Sequence, residues 1–243
     1  MKSANYLIAF LSLFACNQST DKEIYYYTTG EVKEEYEIDN GKRNGLARSF
    51  YLDGKLKAIG FYKNGLPDST YIHYYANGNK QVEGRYDNRG IENGEKKFYF
   101  ESGELKQIEY LNDKAKMIDY LTFNRNGARD FDQARVIFDR DRDTIKLGDY
   151  FEAKIRLGNR KYGYTDVIIG DPNDKQIFDK LRLPKEDSIT SILKIEPESP
   201  GENWIEGVML DIDFKVNGKD TTILDYQVKS FKKSIWVLPR RSS

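Results

Sequence analysis

One histidine, one cysteine and one run of alternating acids and arginines are the side chains here that could support chemistry. His73 falls in a predicted strand, Tyr71–Tyr75, and by alternation shares a face with Tyr71 and Tyr75. A general base needs a group that orients it, and no spacing supplies one, so His73 reads as a surface or rung residue. With Cys16 the only thiol, a His/Cys metal site fails on ligand count. The run Asp139-Arg140-Asp141-Arg142-Asp143 has the spacing of a calcium loop. However, Thr144 stands at the position of the turn glycine and Tyr150 at that of the closing glutamate, so the run reads as a solvated hairpin turn. Asp171-Pro172-Asn173-Asp174 is turn chemistry, and no glycine-rich phosphate loop leads into a helix. The sequence therefore points away from an enzyme, with no catalytic residue, metal or cofactor expected. The aromatic side chains remain as functional candidates.

Those aromatics are periodic. Gly30, Gly54, Gly78, Gly103 and Gly127 recur every 24 or 25 residues, each four positions after an aromatic: Tyr26, Phe50, Tyr74, Tyr99 and Phe123. Each aromatic or β-branched run closes on Asp-Gly, Asn-Gly or Ser-Gly, which predicts a tight two-residue hairpin. A second strand then runs to Tyr36, Tyr62, Tyr86 or Tyr110, followed by looser turns at Asn40-Gly41, Asn64-Gly65 and Gly90. Stacked units of this kind give a single-layer antiparallel meander over residues 25–127. A lone hairpin is unstable, so the units must bury one another. Adjacent pairs (Phe50-Tyr51, Tyr74-Tyr75, Tyr99-Phe100) should place one ring on each face. The candidate stacking or binding set is therefore Phe50, Tyr51, Tyr62, Tyr74, Tyr75, Tyr86, Tyr99, Phe100 and Tyr110. Partly wet tyrosines beside charges suit contact with protein or glycan.

The stretch Asn44-Gly45…Phe50-Tyr51-Leu52-Asp53-Gly54-Lys55-Leu56-Lys57…Tyr62-Lys63-Asn64-Gly65 resembles the MORN repeat variant of bacterial envelope proteins. Gly41/Gly45 and Gly90/Gly94 keep the family's glycine spacing, while Ser69, Asn112 and Lys116 depart from it. The first and last units read as degenerate caps. The resemblance implies a repeat β-sheet. Some relatives are catalogued as antitoxin components and others as modules linked to membrane junctions, and neither role transfers on resemblance alone.

At the start of the chain, one lysine precedes an apolar run, Tyr6–Ala15, too short to span a bilayer. Leu13-Phe14-Ala15-Cys16 resembles the lipobox of bacterial lipoproteins. The resemblance implies removal of residues 1–15, acylation of Cys16 and a polar tether over residues 16–24, with thiol catalysis thereby excluded. Multiple acyl chains would anchor stably. The chain would then be an exported envelope lipoprotein, the outer membrane favoured over the inner. Net charge is zero, with 39 basic and 39 acidic residues, and both halves are near neutral, so no nucleic-acid partner is expected.

After Gly127 the period stops and proline becomes frequent. Residues 128–134 read as a bridge, and residues 135–239 as a β-sandwich of about seven strands, immunoglobulin-like by analogy only. Phe151, Ala153, Ile155 and Leu157 should form one face, and Trp204, Val208, Leu210, Ile212, Phe214 and Val216 another. Thr221–Lys229 and Ile235–Leu238 read as separate strands. The whole is all-β. Two functions stay open: a lipid-anchored envelope protein whose sheet binds protein or surface polymer, or an antitoxin or immunity-type component that neutralises a toxin.

Overall fold

The computed structural model describes residues 21–140, 142–174, 176 and 182–240, so Cys16 and residues 1–15 lie outside the described residues. The first nine strands form one antiparallel sheet in chain order: β1 (Asp21–Tyr26), β2 (Val32–Asp39), β3 (Lys42–Phe50), β4 (Leu56–Lys63), β5 (Leu66–Tyr74), β6 (Lys80–Tyr86), β7 (Gly94–Tyr99), β8 (Leu105–Leu111) and β9 (Met117–Thr122). The sheet is a single layer. Between residues 21 and 127 only Ala47, Gly84, Tyr120 and Thr122 are buried. Residues 21–24, expected to be tether, belong to β1. They pair with β2, and Glu23 holds Arg43 of β3 at 3.0 Å, so their polarity is that of a solvated edge strand.

The glycine period holds, but the two turn types are exchanged. Gly54 donates its N–H to the Tyr51 carbonyl at 2.9 Å, and Tyr51 donates to the Lys55 carbonyl at 2.8 Å. This is a three-residue loop in which only the glycine has positive φ, 81° at Gly54 and 90° at Gly78. Asp53 and Asn77 instead accept the N–H two residues on, from Lys55 at 3.1 Å and from Asn79 at 2.9 Å. The two-residue hairpins are two of the turns expected to be loose, while the third, at Gly90, is another three-residue loop, with the Gly90 N–H on the Asp87 carbonyl at 3.0 Å. Asn40 and Gly41 have φ of 50° and 72°, and Asn64 and Gly65 of 54° and 87°.

The remaining strands are β10 (Arg135–Asp139), β11 (Thr144–Lys146), β12 (Phe151–Gly158), β13 (Tyr164–Ile169), β14 (Thr190–Ile195), β15 (Gly201–Asn217) and β16 (Asp220–Leu238). One sheet runs β10-β12-β14 and the other β11-β16-β15-β13, with β11 parallel to β16. Between them Phe151, Ile155, Leu157 and Leu193 meet Val167, Met209, Ile235 and Val237. The β12 face is the one expected. The expected β15 face forms as well, but it is the outer one: the core takes Ile205 and Met209, while Val208, Leu210 and Ile212 cluster with Ile168 and Tyr164 on the outer face of their sheet. Trp204, Phe214 and Val216, on the same outer face, are exposed. Strand β15 is apolar on both faces where it is buried, so alternation identifies the two faces without saying which one meets the other sheet. The two strands expected over residues 221–238 are one, because β16 pairs continuously with β15 from Asn217↔Asp220 to Gly201↔Val237, through a bulge at Asp213/Phe214.

The meander meets the sandwich where β9 abuts the end of β12. Tyr120 lies against Gly158, a position with no room for a side chain, and donates its hydroxyl to the Gln133 carbonyl at 2.6 Å. Arg160 closes the junction on Asp119 at 2.6 Å.

Candidate functional site

The nine aromatic candidates separate into two groups. Phe50, Tyr51, Tyr74, Tyr75, Tyr99 and Phe100 sit at the glycine turns. There the hydroxyl of Tyr27 donates to the Phe50 carbonyl at 2.8 Å, that of Tyr51 to Tyr74 at 2.6 Å, and that of Tyr75 to Tyr99 at 2.9 Å. One tyrosine per repeat thus ties its turn to the same place in the next repeat. Each such bond contributes about 1 kcal/mol. Phe100 has no hydroxyl, and Arg125 lies 4.8 Å above its ring instead. The second rings of the Phe50-Tyr51 and Tyr74-Tyr75 pairs are therefore latches between repeats. Tyr99 adds a bond to Glu83, and burial together with that carboxylate pushes its phenol up to about 12.

Tyr62 and Tyr86 instead help line a groove of about 240 Å³ on one face of the sheet. Its floor is small: Ala47 and Ser49 of β3, Ala58 and Gly60 of β4. Its walls are Tyr36 on β2 and Tyr71, His73 and Tyr86 on β5 and β6, with Tyr62 at one end. Three strand spacings set the wall backbones about 14 Å apart. The rings brace one another: Tyr36 meets Tyr62 edge-on at 5.7 Å, Tyr71 meets Tyr86 at 5.1 Å, and His73 meets Tyr71 at 5.6 Å. Gly84 is what lets Tyr71 lie across β6, because a Cβ there would come within 2.9 Å of the Tyr71 ring. The groove floor is left open as a result.

Of the sequence candidates, only Tyr62 and Tyr86 line this groove. Tyr36, Tyr71 and His73 join them, and the small residues beneath carry no signal in a reading based on aromatics. Tyr110 falls on the opposite face. It follows Gly103 by seven positions where Tyr86 follows Gly78 by eight, and one residue of offset reverses a strand's faces. Cys16 lies outside the described residues.

The groove's electrostatics favour the neutral forms of Tyr36, Tyr71 and His73. The Arg43 guanidinium lies 3.5 Å from the Tyr36 ring centroid, and Tyr36 donates to Glu34 at 2.9 Å. Burial first, then the Glu34 bond, pushes the Tyr36 phenol up to about 12. Tyr71 donates to Glu92 and is raised for the same two reasons. Partial desolvation, then Lys57 and Lys96, lowers His73, which favours the uncharged imidazole. A wall of phenols and one imidazole above an apolar floor can stack on a flat apolar surface and exchange hydrogen bonds with neutral polar groups. Elsewhere, Asp139 is held by Lys116 at 3.2 Å and Arg156 at 3.3 Å, and Asp143 by Lys233 at 2.6 Å.

The molecule is an all-β repeat protein with a sheet groove as its candidate site. The MORN repeat variant family matches residues 43–64, 67–88 and 92–113, units that contain the groove's floor and most of its walls. That family describes a repeat and names no reaction. No curated protein matches the chain. Among solved structures, the crystal structure of accessory secretory protein 1,2 and 3 in Streptococcus pneumoniae is similar at 16% identity and a TM-score of 0.20, over 74% of this chain and 24% of that one. This chain thus spans about a quarter of that one's length.

Proposed function

We propose that this is a non-catalytic bacterial envelope protein, anchored by lipid at Cys16, whose repeat sheet binds a protein or surface polymer through the Tyr36–Tyr86 groove. The observation that carries the reading is the groove itself: a small-residue floor between braced aromatic walls. Aromatic side chains packed in a partly desolvated setting are where binding energy concentrates. The lipobox-like Leu13-Phe14-Ala15-Cys16 supports the anchor.

Two arms test the reading separately. Crosslinked pull-down from the membrane fraction should recover a partner with the wild-type chain. The Tyr62→Ala/Tyr86→Ala chain should recover at least about tenfold less of it, since two anchor side chains are truncated. Undiminished recovery would remove the groove from the function. Cys16→Ser should release the protein from membranes with its melting temperature unchanged. Continued pelleting with membranes would refute the anchor and leave the groove standing.

A further inference from the structure

Strands β15 and β16 run past the rest of their sheet as a two-stranded ribbon, every residue from Phe214 to Tyr226 being exposed. Register makes this ribbon amphipathic. Leu210 pairs with Val228, Ile212 with Tyr226 and Phe214 with Ile223, so these and Val216 share one face. The other face carries Asp211/Gln227, Asp213/Asp225 and Lys215/Thr222. The apolar face continues the outer cluster of Ile168, Val208, Leu210 and Ile212 out of the sandwich, where Val216, Ile223 and Tyr226 are 57%, 58% and 57% exposed. A two-stranded ribbon alone is at best marginally stable in water, so an apolar-faced one of this length lacks a layer.

We infer that the missing layer is the ribbon of a second copy, the two apolar faces stacking as a small four-stranded sandwich about a twofold axis. Three observations favour this occupant. The chain has zero net charge, so two copies meet without general repulsion. The pairs on the apolar face, from Val208/Ser230 to Val216/Thr221, contain no charged side chain, so an identical face meets it without burying a charge. The exposed apolar side chains on this face are Phe214, Val216, Ile223, Tyr226 and Val228, far fewer than the roughly 20–30 residues a side of a standard interface, which suits a reversible dimer. An anionic lipid surface fits less well, since Asp213, Lys215, Lys219, Asp220 and Asp225 carry no net positive charge. Pairing along the edge of β16 is opposed by its bulge and by Lys229, Lys232 and Lys233.

Sedimentation velocity of the full chain in mild detergent, across the micromolar range, tests this. The wild type should show a reversible monomer–dimer equilibrium. Ile223→Lys and Val216→Lys, both at exposed positions, should each weaken it at least about tenfold with the melting temperature kept, as expected for a charge buried at an interface. Leu52→Lys, on an exposed turn of the meander, should leave it unchanged. A wild type that stays monomeric throughout, or a dimer indifferent to both ribbon variants, overturns the inference.

Discussion

Replacing Asn159 with alanine is expected to cost about 3 kcal/mol and to split the thermal transition in two, the sandwich separating from the repeat sheet. The side chain is fully buried at the junction and uses its whole hydrogen-bonding capacity. Its amide nitrogen donates to the Thr122 hydroxyl at 2.6 Å and to the Asp130 carbonyl at 2.5 Å. Its oxygen accepts the Thr122 N–H at 2.9 Å and the Arg129 guanidinium at 2.9 Å. One amide thus joins β9, the bridge and the end of β12. Truncation strands buried partners in a place too tight to rehydrate them freely, and each such loss costs about 1–3 kcal/mol. Asn159 also has a φ of 55°, which asparagine tolerates better than alanine. Asn159→Gly removes the side chain while easing the backbone, so it should recover only the conformational part. Calorimetry reads both effects. A single transition at the wild-type temperature for Asn159→Ala would show that the two parts are held together by something else.

How much of this was legible in the sequence depends on whether one residue type was forced. The repeat sheet was, because a three-residue hairpin loop needs positive φ at its last position and glycine supplies it every 24 or 25 residues. Which turn was tight was not legible, since Asp-Gly and Asn-Gly serve both loop types and the choice lies in how the flanking residues pair. The groove was half legible. Tyr62 and Tyr86 stood out as aromatics, but Ala47, Ser49, Ala58 and Gly60 matter by being small, and smallness between large side chains is visible only once the strands are in register. The pairs Tyr74-Tyr75 and Phe50-Tyr51 suggested two decorated faces. Their hydroxyl and carbonyl groups also close bonds to the next repeat, a partner 23 or 24 residues away that no local pattern names. On β15, apolar residues at both odd and even positions gave two valid periodicities, and only the second sheet decides between them. Asn159, between Gly158 and Arg160, looks like any turn asparagine.

Gly207→Ala is expected to destabilise the sandwich by about 3 kcal/mol, more than its single added methyl suggests, because overpacking here cannot be relieved by a side chain. Gly207 sits mid-strand on the core face of β15, paired with Ile169 on one side and Phe231 on the other. A Cβ there would run into the backbone carbonyl of Ile168 and stand 2.9 Å from the Phe231 ring. The Phe231 ring lies over the glycine and reaches across the interior to meet Phe138 of β10 edge-on at 5.5 Å, linking the two sheets. Alanine must therefore push β13 away or tip that ring out of the core. Gly84 in the meander is the contrast. A Cβ there meets only the flexible Tyr71 side chain, so Gly84→Ala should cost little stability while swinging Tyr71. At a few degrees per kcal/mol for a chain of this size, Gly207→Ala should lower the melting temperature by roughly 10 °C, and Gly84→Ala by far less. Equal shifts for the two variants would mean that the core yields as readily as the surface sheet, contrary to a sandwich locked by Phe231.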